Sequence, residues 1–143
     1  MKWVIIPIEP RFYEIDSYKI VNNMFYLSWF EMGRFAVAEK AGLICDRFND
    51  ENLSFVVKHI DIDYKRSVTF RDRVTCETII SSWTAAKLLF KHRIRNAINN
   101  EIHSEGYSEV VLLKNLKMQL NMPVWVEECI IRFINDYQKG LPE

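Results

Sequence analysis

From Met24 to Ala41 the chain runs without proline and with a single glycine, and its apolar positions surround most of a helical wheel. Phe25, Trp29, Met32 and Ala36 trace one side, and Tyr26, Phe30, Val37 and Ala41 trace another. A helix apolar on so many sides is enclosed by protein. Phe25, Trp29, Phe30 and Phe35 are therefore expected to be buried, at roughly 1.5–3 kcal/mol each. Asn22 or Asn23 supplies the N-cap, and Gly42 with Leu43 behind it predicts a Schellman stop.

Elsewhere the period changes to two. Residues 11–15 predict a short strand, with Phe12 and Glu14 on one face and Tyr13 and Ile15 on the other. After a polar loop from Asp46 to Asn52, His59, Asp61 and Asp63 alternate with Ile60, Ile62 and Tyr64. Arg71-Asp72-Arg73 makes a turn, and Val74, Cys76, Thr78 and Ile80 then alternate with Thr75, Glu77 and Ile79. Leu88, Phe90, His92 and Ile94 oppose Lys87, Leu89, Lys91, Arg93 and Arg95. Asn99-Asn100 turns the chain into a last strand from Glu101 to Leu113, where Gly106 predicts a bulge or a close backbone approach. Pro123 opens a helix through Tyr137 that Gly140 closes. The order predicts one α+β domain over residues 1–143, an antiparallel five-stranded sheet wrapped around a central helix, with a C-terminal helix outside. The open sheet edges invite pairing with a second copy.

Composition narrows the function classes. Nineteen Lys and Arg balance nineteen Asp and Glu, so no overall field holds nucleic acid or an anionic membrane. The N-terminal apolar run, broken by Pro7, Glu9 and Pro10, is too short for a signal sequence, and no stretch is long enough for a membrane helix. Cys45, Cys76 and Cys129 are odd in number and far apart, as expected of reduced thiols in a cytoplasmic protein.

The candidate chemistry lies just before the central helix. Asp16 sits in a loop six or seven residues ahead of a helix start whose unpaired N–H groups form the positive end of a dipole. A thioester carbonyl resting there would have its developing oxyanion stabilised while Asp16 attacks it or activates a water. Taken alone, an Asp in such a loop is also an ordinary turn residue or cap.

The segment Tyr13-Glu14-Ile15-Asp16 through Val21-Asn22-Asn23, Tyr26, Trp29-Phe30-Glu31 and Arg34 resembles the signature of hotdog thioesterases of the 4-hydroxybenzoyl-CoA and acyl-CoA thioesterase type. Asp61-Ile62-Asp63-Tyr64 and Asp72-Arg73-Val74 resemble that family's later strands and turn. The resemblance implies the hotdog fold, hydrolysis of an acyl-CoA or acyl-carrier-protein thioester without a metal or a separate cofactor, and a homodimer or homotetramer whose second subunit completes the pocket. It places the catalytic carboxylate at Asp16, the oxyanion amide at Asn23, and substrate contacts at Val21, Asn22 and Tyr26. Two departures stand out. Lys19 replaces the family's glycine, and Ile20 replaces the histidine of some subfamilies. Lysine at a left-handed position is costly, so a reshaped loop is expected, or an ammonium beside Asp16.

Two alternatives follow from the same residues. A hotdog hydratase or dehydratase normally needs a histidine paired with an acid, and none lies within 16–35. A non-catalytic acyl-CoA-binding module is suggested by Lys19 and Ile20. An unrelated α+β domain is the bland reading of the element order. Glu31 and Arg34 are spaced to form an ion pair. His92 is expected to be partly buried and satisfied, and His59, His92 and His103 lack ligand spacing. Lys65-Arg66, Arg71, Arg73, Lys87, Lys91, Arg93 and Arg95 are expected on solvated faces, one group meeting the CoA phosphates.

Overall fold

A computed structural model describes residues 1–142. The chain forms β1 (Val4–Ile8), a 3-10 turn (Phe12–Glu14), α1 (Phe25–Lys40), α2 (Asp46–Asp50), β2 (Leu53–Tyr64), β3 (Val74–Trp83), β4 (Lys87–Asn96), β5 (Ile102–Lys114), the two-residue β6 (Lys117–Met118) and α3 (Val124–Arg132), which continues as a π-helical turn over Phe133–Gln138. The main sheet is antiparallel, in the order β1-β3-β4-β5-β2. It curls around α1 as the helix-then-strands order predicts.

Helix α1 ends as its sequence dictates. Gly42 is left-handed at φ 78°, its N–H bonds to Glu39 O at 3.1 Å, and Leu43 N–H reaches back to Ala38 O at 2.9 Å. Two glycines set how closely helix and sheet approach. A Cβ on Gly33 would meet the Thr78 hydroxyl on β3, and one on Gly106 of β5 would lie 2.8 Å from the buried ring of Phe30.

Several boundaries differ from the sequence reading. The predicted strand at 11–15 is a 3-10 turn followed by one bridge, Ile15 to Val21. Glu14 curls the backbone there by accepting the Arg11 N–H at 2.6 Å. The first strand is instead Val4–Ile8, an edge strand where Pro7 has no ladder bond to lose. The polar loop contains α2, and β2 begins at Leu53, ahead of the alternation that starts at His59; a bulge between Val57 and His59 breaks its period.

The expectation that α1 is enclosed on all sides holds for only part of its surface. Tyr26, Trp29, Phe30 and Val37 are buried and Phe25 is half-buried. Phe35 is 58% exposed, Met32 46% and Leu27 41%. One chain's sheet covers one side of the helix and leaves an apolar strip bare.

Two apolar clusters share the core. One gathers Val37, Leu53, Leu88, Phe90, Val110 and Ile130, with α3 sealing its end. The other gathers Val21, Tyr26, Trp29, Phe30, Val74 and Ile94 at the start of α1. A polar chain lies within the core: His92 bonds Thr78 Oγ1 through Nδ1 at 3.0 Å and Ser108 Oγ through Nε2 at 2.7 Å, with the Phe30 ring stacked on it at 4.4 Å. His92 is thus fully buried, deeper than expected.

Burial, with Arg34 nearby, pushes the His92 pKa from 6.5 down to about 3. Between those values the unfolded chain carries a proton that the folded chain lacks. This contribution to stability is therefore complete above pH 6.5 and is lost as pH falls toward 3. Between pH 7 and 5 the parent should lose about 2 kcal/mol more than a His92→Gln variant, measured by urea unfolding at each pH. Equal losses in the two proteins would contradict this.

The outer face of the sheet is also less solvated than expected. Glu77 is buried between Arg93 and Arg95, and Arg93 stacks over Trp3 at 3.8 Å. Lys65, Arg66 and Lys87 pair with Glu105, Glu101 and Glu109.

Candidate active site

The loop before α1 is a tight hairpin. Asp16 N–H bonds Ile20 O at 2.9 Å, Lys19 N–H bonds Asp16 O at 3.0 Å, and Asn22 N–H bonds Glu14 O at 2.8 Å. At its tip Asp16 Oδ1 accepts the Tyr18 N–H at 2.8 Å, closing an Asx turn that fixes the carboxylate's orientation. Lys19 stands at φ 65°, the left-handed conformation suited to glycine. The loop therefore keeps the glycine shape and the lysine bears the strain, contrary to the expected reshaping. No ion pair joins Lys19 to Asp16 among the described residues. A Lys19→Gly variant should gain about 0.5–1 kcal/mol by relief of that strain, read as a higher denaturant midpoint. An unchanged or lower midpoint would contradict a strained turn.

Buried groups hold the hairpin from behind. Val21 and Tyr26 are each 3% exposed. Val21 N–H bonds Val68 O at 2.7 Å, Ile20 bridges to Thr69, and Tyr26 Oη accepts the Val68 N–H at 3.3 Å. Burial raises the Tyr26 pKa, so its phenol stays neutral. Val21 and Tyr26 thus anchor the loop and offer no open surface. Glu14, which the sequence reading did not single out, is a buried anchor too. Its second oxygen accepts the Trp29 indole N–H at 3.3 Å, tying the hairpin to the first turns of α1.

The helix start carries the unpaired amide that the dipole argument requires. The N-cap position falls on Met24, with no side-chain cap, in place of the expected Asn22 or Asn23; Asn22 Oδ1 instead accepts the Met24 N–H at 3.1 Å in an Asx turn just ahead of the helix. Tyr64 Oη donates to Asn23 O at 3.1 Å and fixes that peptide. Among the described residues the Asn23 N–H has no acceptor. Asp16 and Asn23 thus lie on one hydrogen-bonded unit at the positive end of α1, both accessible in part.

A partly open cavity lies further along α1. It encloses about 500 Å³ between the helix, the segment after it and the sheet, with Arg34, Ala38, Leu53, Phe90 and Ile130 in its walls. A shallower groove over Ser28, Met32 and Ile6 adjoins it and shares Glu31, Phe35 and Ile44. Neither Asp16 nor Asn23 lines either space. Glu31 and Arg34, expected to pair, form no ion pair, and the buried Nη1 of Arg34 has no hydrogen-bond partner among the described residues.

The histidines stand away from the hairpin. His92 is in the core, His103 is buried against Asn96 and the Arg66 carbonyl, and His59 is exposed on β2. Arg71 and Arg73 follow directly on the Val68–Thr69 segment that pairs with the hairpin. Unlike Lys65, Arg66, Lys87, Arg93 and Arg95, they have no ion-pair partner among the described residues.

Comparison with known proteins places this geometry in context. Residues 10–135 match the family model of the thioesterase-like superfamily. Among curated proteins, the chain is 23% identical over 129 residues to acyl-acyl carrier protein thioesterase ATL3, chloroplastic, of Arabidopsis thaliana, covering 90% of this chain and 68% of that one. It is 25% identical over 113 residues to the acyl-CoA thioester hydrolase YbgC of Escherichia coli, covering 79% and 84%. Among solved structures, the DHNA-CoA thioesterase of Staphylococcus aureus superposes with a TM-score of 0.77 at 22% identity, over 97% of this chain and 91% of that one. The probable thioesterase YbaW of Escherichia coli gives 0.76 at 23%, over 88% and 95%. The fold is the hotdog fold.

Proposed function

Because the chain belongs to the thioesterase-like superfamily, we propose that it hydrolyses an acyl thioester carried on coenzyme A or an acyl-carrier protein, with Asp16 as the reacting carboxylate and Asn23 as the oxyanion amide. The observation that carries this reading is the hairpin itself. An unpaired carboxylate held by an Asx turn shares one hydrogen-bonded unit with a free amide at the start of α1.

As a general base, Asp16 takes a proton from water as the oxygen adds to the thioester carbonyl carbon. The resulting oxyanion is held by the Asn23 N–H and the helix dipole. Collapse breaks the carbon–sulfur bond, and the proton passes from Asp16 to the departing thiolate. As a nucleophile, the same carboxylate expels the thiolate directly and forms an anhydride that water then opens. Either route needs a charged Asp16 and no histidine. His92, with its pKa near 3 and both ring nitrogens engaged, is unsuited to acid–base work.

A second copy of the chain is part of this reading. The bare strip of Leu27, Met32 and Phe35, beside the open β2 edge at Val56 and Val57, is surface that a homodimer or homotetramer covers. Arg71 and Arg73 are the cations assigned to the carrier's phosphates. Among the described residues no helix is long and apolar enough to cross a membrane, and with free thiols at Cys45, Cys76 and Cys129 the protein is assigned to the cytoplasm.

The test is thiol release from a panel of acyl-CoA and acyl-carrier-protein thioesters, with hydration of a 2-enoyl thioester followed in parallel. Multiple turnovers of thiol release support the reading. Tight binding with no thiol released would select a non-catalytic binding module, and enoyl hydration alone would select a hydratase.

A further inference from the structure

We propose that the cavity walled by Arg34 receives the far end of the acyl chain and favours chains carrying a neutral oxygen there, a hydroxyl or keto group. The inference rests on the thioesterase reading for the chain's identity, but its geometry stands apart from Asp16. Apart from Arg34 and Glu31, the walls are mostly aliphatic and aromatic, including Val37, Leu88 and Phe90, and about 500 Å³ is the size of a small-molecule site.

In that wall sits a guanidinium with five N–H donors and no acceptor. The half-buried Arg34 side chain joins no ion pair among the described residues, and its Nη1 is enclosed without a hydrogen-bond partner. Burial lowers its pKa, as expected of a cation short of partners. A plain alkyl chain filling the cavity would leave the enclosed Nη1 without an acceptor, which is unfavourable. An oxygen on the chain would supply the acceptor.

The chemistry of that oxygen follows from Glu31, which lines the same cavity one turn earlier. The cavity wall thus already carries one carboxylate beside its one guanidinium. What the site lacks is an acceptor more than a second anion, so a neutral oxygen suits it better than a carboxylate. The position along the chain follows from the helix. Arg34 lies eleven residues beyond Asn23, about 16 Å along the axis, so the oxygen belongs in the distal part of the chain. The groove over Ser28 and Met32 lies between Asn23 and Arg34 along the helix and adjoins the cavity, sharing Glu31 and Phe35 with it.

The experiment uses thioethers of pantetheine, which bind but cannot be hydrolysed. Three probes of equal length carry a dodecyl, an ω-hydroxyalkyl or an ω-carboxyalkyl chain, and binding is measured by calorimetry. The parent protein should bind the ω-hydroxy probe about tenfold more tightly than the dodecyl probe. Arg34→Met should reverse that order, and Arg34→Lys, which keeps a charged donor, should retain part of the preference. The same ratio in the parent and both variants, or tightest parent binding of the dodecyl or ω-carboxyl probe, would overturn the proposal. The thioethers report binding alone. Selective binding without thiol release from thioesters would sink the hydrolase reading and leave this one standing, and hydrolysis with equal thioether affinities would do the reverse.

Discussion

An Asp16→Asn variant is expected to hydrolyse its best acyl thioester about a thousandfold more slowly than the parent, with KM little changed and the same melting temperature. The magnitude is that of losing a positioned base or nucleophile, within the range of about a hundredfold to ten-thousandfold. The fold should not suffer. The Asn side-chain oxygen can accept the Tyr18 N–H as Asp16 Oδ1 does, so the Asx turn survives, and no ion pair is lost. A loss confined to kcat marks a group that acts in the transition state and not in binding. Steady-state kinetics beside a thermal melt check both halves. Turnover undiminished in a folded variant would remove Asp16 from the mechanism.

Replacing Gly106 by Ala should destabilise the protein by about 3 kcal/mol, enough to lower its melting temperature by roughly 10 °C. The new Cβ would collide with the backbone carbonyl of Asp61 on β2 and lie 2.8 Å from Phe30 Cε2. Neither neighbour can yield cheaply. Asp61 belongs to the β2–β5 ladder, and Phe30 is buried and stacked on His92. Relieving the clash means parting two strands or tilting α1, and both disturb the core cluster that also holds Val21 and Tyr26 behind the hairpin. Activity should therefore fall together with stability. Urea unfolding gives the number, and a change below about 1 kcal/mol would mean that the helix does not pack against β5 as closely as described.

The central helix, its glycine stop and the inner faces of β3 and β4 were legible in the sequence because each rests on local periodicity or on one residue with a single strong preference. Gly42 and Leu43 act within a single turn, and Leu88, Phe90, His92 and Ile94 alternate without interruption. The failures occurred where side-chain contacts override local pattern. Glu14 converts an alternating stretch into a 3-10 turn by capping Arg11 N–H. Pro7 disguises an edge strand, and the bulge after Val57 hides the first half of β2. The bare strip on α1 could not be read either, because an apolar surface looks the same in sequence whether its own sheet or another chain covers it. Arg34 belongs to the same class. Its spacing from Glu31 suits an ion pair, yet the fold draws its head into the cavity wall while Glu31 stays exposed. The Asp16 hairpin was legible only through its resemblance to the family signature. Spacing alone did not distinguish a reacting carboxylate from a turn residue, and the Asx turn it forms shows why: the same side chain does the work of a turn residue too.

The most direct test of the account is a crystal structure of the Asp16→Asn variant with an uncleaved acyl-pantetheine thioester. The account predicts the thioester carbonyl oxygen within hydrogen-bond distance of the Asn23 N–H, with the carbonyl carbon facing the side chain at position 16. A thioester bound elsewhere, with residue 16 turned to bulk water and the Asn23 amide unoccupied, would contradict it.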